Sequence, residues 1–379
     1  MKQGSYKADF LIVGAGLAGS VFARTIADAG YTAVLIDKRD HVGGNCYTYV
    51  DEQTGITVHK YGPHIFHTNS TPIWEFVNRF ANFMRFNLRT KAIYGCEVYS
   101  FPINLMTVNQ FFHKALSPTD ARRFIRYITK NAERALNMRQ FLLSTIGQEL
   151  YETFYWGYTV KQWGMNPEQI PVSIGQRLPI RYTYDDRYFD DIYEGIPADG
   201  YTAMFNNMLA HDNIKVILGE PFSEHMDWRV HYKHLVFTGS LDEYFNYEHG
   251  YLPYRTVRFE TIRDTEIQGN AIINYTSIHK PYTRIHEHKW FMPHKKFNNS
   301  IAFAEYAYAT DSRNEPYYPM PDAHSQQKYA EYEHMAMLQA DVSFLGRLAD
   351  YKYYNMDQVI ARSIHKAEQA IQQLRGLYK

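Results

Sequence analysis

The stretch from Asp9 to Gly19, DFLIVGAGLAG, constrains the fold more than any other part of the chain. Four apolar residues, Phe10–Val13, run into glycine and read as a short buried strand. Gly14, Gly16 and Gly19 then fall in a G-x-G-x-x-G spacing, and residues 17–29 continue with Leu17, Val21, Ala23, Ile26 and Ala27 at helical intervals. A strand that turns on glycine into a helix gathers unpaired N–H groups and the positive end of the helix dipole at one point, where a phosphate is stabilised. The three glycines suit a tight turn, a close approach of backbone to a pyrophosphate, and close helix–strand packing.

The flanking sequence agrees with a dinucleotide site. A second apolar strand, Thr32–Ile36, ends in Asp37, at the distance expected of a ribose-binding acid. Lys38 follows, and then a second glycine pair, Gly43-Gly44, with Asn45. Another bare backbone loop just after the acid suits FAD better than NAD, because it gives the longer cofactor a second close approach.

A chain of 379 residues can bury two or three cores. Lys+Arg and Asp+Glu number 40 each, so bulk charge selects neither nucleic acid nor an acidic membrane as partner. Two cysteines, Cys46 and Cys96, make neither a disulfide framework nor a metal spacing, and point to a reducing cytoplasm. The chain has no apolar run long enough to span a bilayer, and the apolar run at 10–23 belongs to the glycine turn rather than to a signal peptide. Tyrosine is abundant, 33 in all, and its flat face and hydroxyl suit bases and sugars, although most of the 33 belong to core and surface.

Along the chain, residues 1–8 are a polar lead-in and 9–50 a βαβ unit. Residues 73–150 carry helical patterns at 73–86, 107–116, 119–136 and 138–155, with a β-like interruption at 92–101. Residues 151–199 read as an aromatic and basic loop region. Residues 200–218 read as helix then strand, with strands again at 235–238, 257–261, 271–275, 301–306 and 342–345 and a final helix at 355–376. The expected class is α/β. A discontinuous Rossmann-like FAD-binding domain (1–81, 200–247 and 321–379) is interrupted by a helical domain (82–150) and an antiparallel β-sheet substrate domain (151–199 and 248–320).

Arg177, Arg181 and Arg284 sit near Trp156, Tyr158, Trp163, Tyr184 and Tyr188. Guanidinium forks bind phosphate oxygens in pairs, and aromatic faces stack on bases, so the set suits a nucleotide diphosphate. His64 and His67 lie three apart, but Pro63 and β-branched neighbours argue against a helical metal pair, and no metal is expected. Asp185-Asp186 and Asp190-Asp191 read as solvated loop acids. There is no serine elbow, H-E-x-x-H or Walker loop, which leaves the flavin itself as the reactive group.

The segments HVGGNCYT, HKYGPHIFHT, GYTVKQWG, RLPIRYTYDDRYFDDIYEGIP, PYTRIHEHK, EPYYP and GRLADYKYYNM together resemble the bacterial UDP-galactopyranose mutase family over nearly the whole chain. The resemblance implies a cytoplasmic, homodimeric FAD isomerase of cell-wall or lipopolysaccharide biosynthesis. Such an enzyme interconverts UDP-galactopyranose and UDP-galactofuranose with no net redox change. It further implies that only reduced flavin is competent, its N5 attacking the anomeric carbon and expelling the diphosphate.

Carried over by motif, the resemblance makes Arg177 and Arg284 the diphosphate grip, Arg177 lying on a mobile loop. Trp163 stands beside the sugar, and Tyr158, Thr159 and Tyr188 form the uridine pocket. Tyr318, with Tyr317 as the weaker choice, and Tyr353 contact phosphate; His64 lies beside the flavin; Arg347 lies near flavin and substrate. Gly14, Gly16, Leu17, Gly19, Asp37, Lys38, Gly43, Gly44, Asn45 and Met356 complete the cofactor set. Two positions depart from the family pattern: Asn355 replaces an aspartate, and Pro63 an alanine. These leave open a different sugar or carrier, such as UDP-N-acetylgalactosamine or dTDP-fucose, and, further off, an FAD amine-oxidase-like oxidoreductase.

Overall fold

In the computed structural model, which describes residues 6–129, 135–222, 230–311 and 314–376, the strand Phe10–Val13 is the middle of a five-stranded parallel sheet. The order across it is Ile214–Leu218, Ala33–Asp37, Phe10–Val13, His234–Phe237 and Val342–Phe344, every neighbouring pair parallel. Buried parallel strands must be apolar on both faces, and FLIV, AVLID and HLVF are. The sheet thus draws on segments more than 300 residues apart.

Helix Leu17–Asp28 covers one face. Its Val21, Phe22, Ala23 and Ile26 pack with Val359, Ile360, Ala367 and Ile371 of the last helix, Met356–Gly376, in one apolar cluster. Each such side chain fully buried stabilises by about 1.5–3 kcal/mol.

A seven-stranded sheet forms the second layer. Its long pair Tyr254–Asp264 and Ser300–Ala309 continues through Arg284–Glu287 and Ile272–Tyr275 to Thr90–Tyr94 and Glu97–Phe101, with Tyr318–Pro319 on the other edge. Every pairing is antiparallel except Thr90–Tyr94 beside Ile272–Tyr275, which is parallel. That exception arises because the two strands come from distant parts of the chain, with no hairpin to fix them antiparallel. The three strands Phe66–Thr68, Tyr193–Pro197 and Phe83–Arg85 form a small antiparallel sheet between the layers.

The helical reading of 73–150 is corrected at several places. The first helix is Thr71–Asn78, and Phe83–Arg85 leaves the helical pattern to pair with Tyr193–Pro197. The interruption at 92–101 is a full hairpin turning at Gly95, which has φ +61°. Helices follow at Leu105–Phe111, Pro118–Thr129 and Met138–Ile146; residues 130–134 of the expected 119–136 helix lie outside the described residues. The expected 138–155 helix breaks at Gly147 (φ +86°) and then widens into a π turn over Glu152–Trp156. A further helix, Gly157–Trp163, occupies the start of what reads as loop.

Candidate functional site

Two clefts meet inside the molecule. The first, of about 490 Å³, opens at the C-terminal ends of the parallel strands, where ligands bind in doubly wound sheets. Gly14, Gly16, Leu17, Asp37, Lys38, Gly43, Gly44, Asn45, His64, Arg347 and Met356 all line it. Gly14 has φ +105°, and a Cβ there would lie 2.0 Å from Thr238 Oγ1. A Cβ on Gly44 would lie 2.9 Å from Gly16 Cα, so the two glycine turns touch through bare backbone. Gly19 does not line the cleft; its missing side chain makes room for the Gly14 carbonyl, 2.0 Å from where a Cβ would stand. The helix that starts at Leu17 has no side-chain cap and no acid in its first turn, which leaves its N–H groups for an anion. This cradle fits a dinucleotide.

Asp37 is more occupied than a free ribose acid. Its Oδ2 accepts the Ala15 N–H at 2.7 Å and its Oδ1 the Arg39 N–H at 2.9 Å, which braces the first glycine turn against the second strand. Sequence reasoning missed Arg39 and Glu315. The two are paired; Arg39 also stacks over Tyr61 at 4.4 Å and reaches Asn45 Oδ1 at 3.0 Å. The pair joins segments some 275 residues apart, so no local pattern announces it.

The second cleft, of about 440 Å³, contains the arginine and aromatic residues. Tyr158, Thr159, Trp163, Arg177, Tyr188, Arg284, Tyr318, Tyr353 and Asn355 line it together. Helix Gly157–Trp163 supplies the first three at helical spacing. Strand Arg284–Glu287 supplies the half-buried cation Arg284, and the turn before the last helix supplies Tyr353 and Asn355. Tyr318 stacks on Tyr353 with centroids 5.2 Å apart, and Trp163 lies 6.4 and 6.1 Å from them.

Arg284 is fixed by Glu305, its register partner on the next strand: Nε donates to Oε2 at 3.0 Å, and Nη2 lies within ion-pair distance of the same oxygen at 2.9 Å. Burial works against the Arg284 charge, but the Glu305 carboxylate overrides it and holds the guanidinium well above its ordinary value. Burial pushes the phenols of Tyr158, Tyr188 and Tyr318 up, so they are neutral hydrogen-bond donors at any physiological pH.

Arg347 stands where the clefts join. It lines the first, and its guanidinium lies 5.5 Å over both Tyr318 and Tyr353 of the second. His64 is beside it. Burial and then the Arg347 charge press the imidazole down to about 4, so it is neutral. Its Nδ1 is 3.0 Å from the Gly62 carbonyl, which can only accept, so Nδ1 carries the proton and Nε2 the lone pair.

Some expected residues are elsewhere. Tyr317 lines the first cleft, not the second. Arg181 is consumed by Asp190 and by the carbonyls of Arg187 and Phe189. Trp156 and Tyr184 are exposed outside both clefts. The four loop acids are paired, not merely solvated: Asp185 with Arg187, Asp186 with Arg89, Asp190 with Arg181, and Asp191 with His67. Pro63 lies on the turn between Gly62 and His64, next to the first cleft. Among the described residues no group of three or more His, Cys, Asp or Glu could hold a metal ion, and no helix is long and apolar enough to cross a membrane.

A family model for UDP-galactopyranose mutase matches residues 153–353, and one for a NAD(P)-binding Rossmann-like domain matches 12–80. The chain is 42% identical over 365 residues to a Klebsiella pneumoniae protein named probable UDP-galactopyranose mutase, covering 95% of this chain and 94% of that one. It is 40% identical over 368 residues to dTDP-fucopyranose mutase of Escherichia coli, covering 94% and 97%. Among solved structures, reduced UDP-galactopyranose mutase superposes with a TM-score of 0.68 at 15% identity, covering 98% and 96%. Putrescine oxidase superposes at 0.63 and 14%, covering 97% and 100%; at such identities both likenesses speak for the fold alone. A protein of Emericella nidulans named as an FAD-dependent oxidoreductase is 38% identical over 73 residues, 19% of this chain and 15% of that one, and the glycine cradle fits a flavin cofactor. The family model spans both cleft arginines and the Trp163–Tyr318–Tyr353 ladder, and the sequence relatives run nearly end to end, so the chain belongs to the UDP-galactopyranose mutase family.

Proposed function

We propose that the protein is a flavin-dependent nucleotide-sugar mutase that interconverts UDP-galactopyranose and UDP-galactofuranose without net oxidation or reduction. The observation that carries this is the junction at Arg347: a dinucleotide cradle opens directly into a cleft of arginines and tyrosines. Reduced FAD in the first cleft supplies a nucleophilic nitrogen for the anomeric carbon of a sugar in the second.

The chain's own residues account for the rest. Breaking the bond from anomeric carbon to phosphate oxygen leaves negative charge on the diphosphate. Arg284, Arg177 and Arg347 stabilise it where it develops, and the hydroxyls of Tyr318 and Tyr353 can donate to it. Glu305 holds the Arg284 fork in place before substrate arrives, so little reorganisation is needed. Trp163 walls the sugar, and Tyr158, Thr159 and Tyr188 take the base. Neutral His64 offers a lone pair at the junction and adds no positive charge there. The same reading places the enzyme in the cytoplasm as a homodimer, in keeping with two unbridged cysteines.

The test is conversion of UDP-galactopyranose by dithionite-reduced and by oxidised protein. Turnover in the reduced protein alone is expected; equal turnover in the oxidised protein overturns the reading. A second substrate is favoured by the near-equal identity to the E. coli dTDP-fucopyranose mutase. A competition between UDP-galactopyranose and dTDP-fucopyranose at the reduced enzyme decides which has the higher kcat/KM.

A further inference from the structure

Asn355 precedes the last helix and makes only half of the cap expected there. Gln358, three residues on, reaches back to accept the Asn355 backbone N–H at 2.9 Å. The Asn355 side chain does not return the bond. Its Oδ1 instead accepts from Arg177 Nη2 at 2.7 Å, while the Arg177 guanidinium lies 3.9 Å over the Tyr353 ring. Asparagine and aspartate cap a helix N-terminus about equally well, and an acid gains in addition from the helix dipole. The sequence has a neutral amide, diverted to hold an arginine.

The charges around the second cleft give that choice a meaning. Arg284 is neutralised by Glu305, Asp190 by Arg181, and Asp191 faces His67. Arg177 has an amide and an aromatic face as partners, and Arg347 a carbonyl at 3.4 Å and two aromatic faces. Neither is within ion-pair distance of a carboxylate among the described residues. Two uncompensated cations thus face a ligand with about two negative charges.

We propose that Asn355 is a positioning residue for Arg177. Its neutral amide docks Arg177 across the cleft without cancelling its charge, and so leaves that charge to the diphosphate of the nucleotide ligand. The inference rests on the nucleotide-sugar reading above. An aspartate at this position would pair with Arg177 and compete with the ligand for it.

The test is the affinity of the oxidised holoenzyme, wild type, N355D and N355A, for UDP, dTDP and uridine by calorimetry, with melting temperature and flavin content as controls for folding. N355D should weaken UDP and dTDP by about tenfold or more at low salt, and the gap should narrow as salt is raised. Uridine, which has no charge, should bind all three alike. N355A should lose less than N355D, since it frees Arg177 without opposing it. Equal losses in both variants, a matching loss for uridine, or undiminished diphosphate binding by N355D would overturn the proposal. Failure of the wild type to bind either diphosphate would refute the nucleotide-sugar reading and this inference with it.

Discussion

Arg284, which lines the second cleft, is paired with Glu305 behind it; the fork is partly exposed and the carboxylate almost wholly buried. In the proposed function, removing the cation removes an oxygen grip that matters most when the diphosphate leaves. Arg284→Ala is expected to lower kcat/KM of the reduced enzyme by about a hundredfold or more. Glu305→Gln keeps an oxygen near the guanidinium but drops the charge that fixes it. It is expected to lose about tenfold in steady-state kcat/KM and about 1–3 kcal/mol of stability in urea unfolding. A Glu305→Gln enzyme with full activity would show that Arg284 needs no anchor. Arg284 was legible in the sequence as a cation among aromatics. Glu305 was not, because its role depends on a cross-strand register between residues 21 apart, and an acid in IAFAEYAYA reads only as a strand residue. The adjacent Tyr317 and Tyr318 show the same effect. Neighbours at a strand point opposite ways, and only the finished sheet says which one meets which cleft.

At the level of elements, helix Gly157–Trp163, which lines the second cleft, is tied to the sheet by two cations that have carbonyl oxygens as hydrogen-bond partners. Lys161 Nζ donates to the carbonyls of Tyr275, Ser277 and Tyr282 at 2.6, 2.9 and 2.9 Å, and burial lowers its pKa to about 8. Arg255 on strand Tyr254–Asp264 donates to the Lys161 and Gln162 carbonyls at 2.9 Å each, which ties down the last turn of the helix. Gly164 ends that helix with φ +66°, and a Cβ there would come 2.6 Å from Arg255 Nη1. Lys161→Met leaves three carbonyls without their donor. It is expected to raise KM several-fold with a smaller change in kcat, since the proposed function gives this helix the base and the Arg347 junction the chemistry. A fall in kcat alone, in initial-rate assays, would contradict that division. The strand–glycine–helix start was readable because every determinant lies within eleven residues. The π turn at Glu152–Trp156 and the strand at Phe83–Arg85 were not, since each is set by tertiary partners that override local pattern.

For the whole molecule, a group of buried histidines lies between the layers. His59, His286 and His288 are almost fully buried, with His64 next to them, and His59 stacks on His288 with centroids 6.1 Å apart. Burial lowers all four below the usual 6.5, His64 to about 4 and His288 to about 3. In the native protein they stay neutral while the unfolded chain takes up protons below about pH 6.5. Stability conferred by these sites is therefore full above that pH and is lost as pH falls toward 4. The urea midpoint of the holoenzyme should drop steadily between pH 7 and pH 5, and replacing His288 should make the decline shallower. A midpoint that stays level over that range would mean that these histidines are charged or solvated in the fold.

The parallel sheet has a consequence for how the protein is made. Its fifth strand, Val342–Phe344, and the helix Met356–Gly376 that packs on Leu17–Asp28 leave the ribosome more than 300 residues after the glycine turn. The nascent chain must carry an open-sided nucleotide fold through that stretch of synthesis, part of its apolar face uncovered until these elements emerge. A ribosome-bound chain halted before residue 342 is expected to retain no flavin, whereas release of the full chain should be followed by flavin uptake as one late event. Cells short of flavin would then accumulate finished chains awaiting their cofactor rather than half-made ones.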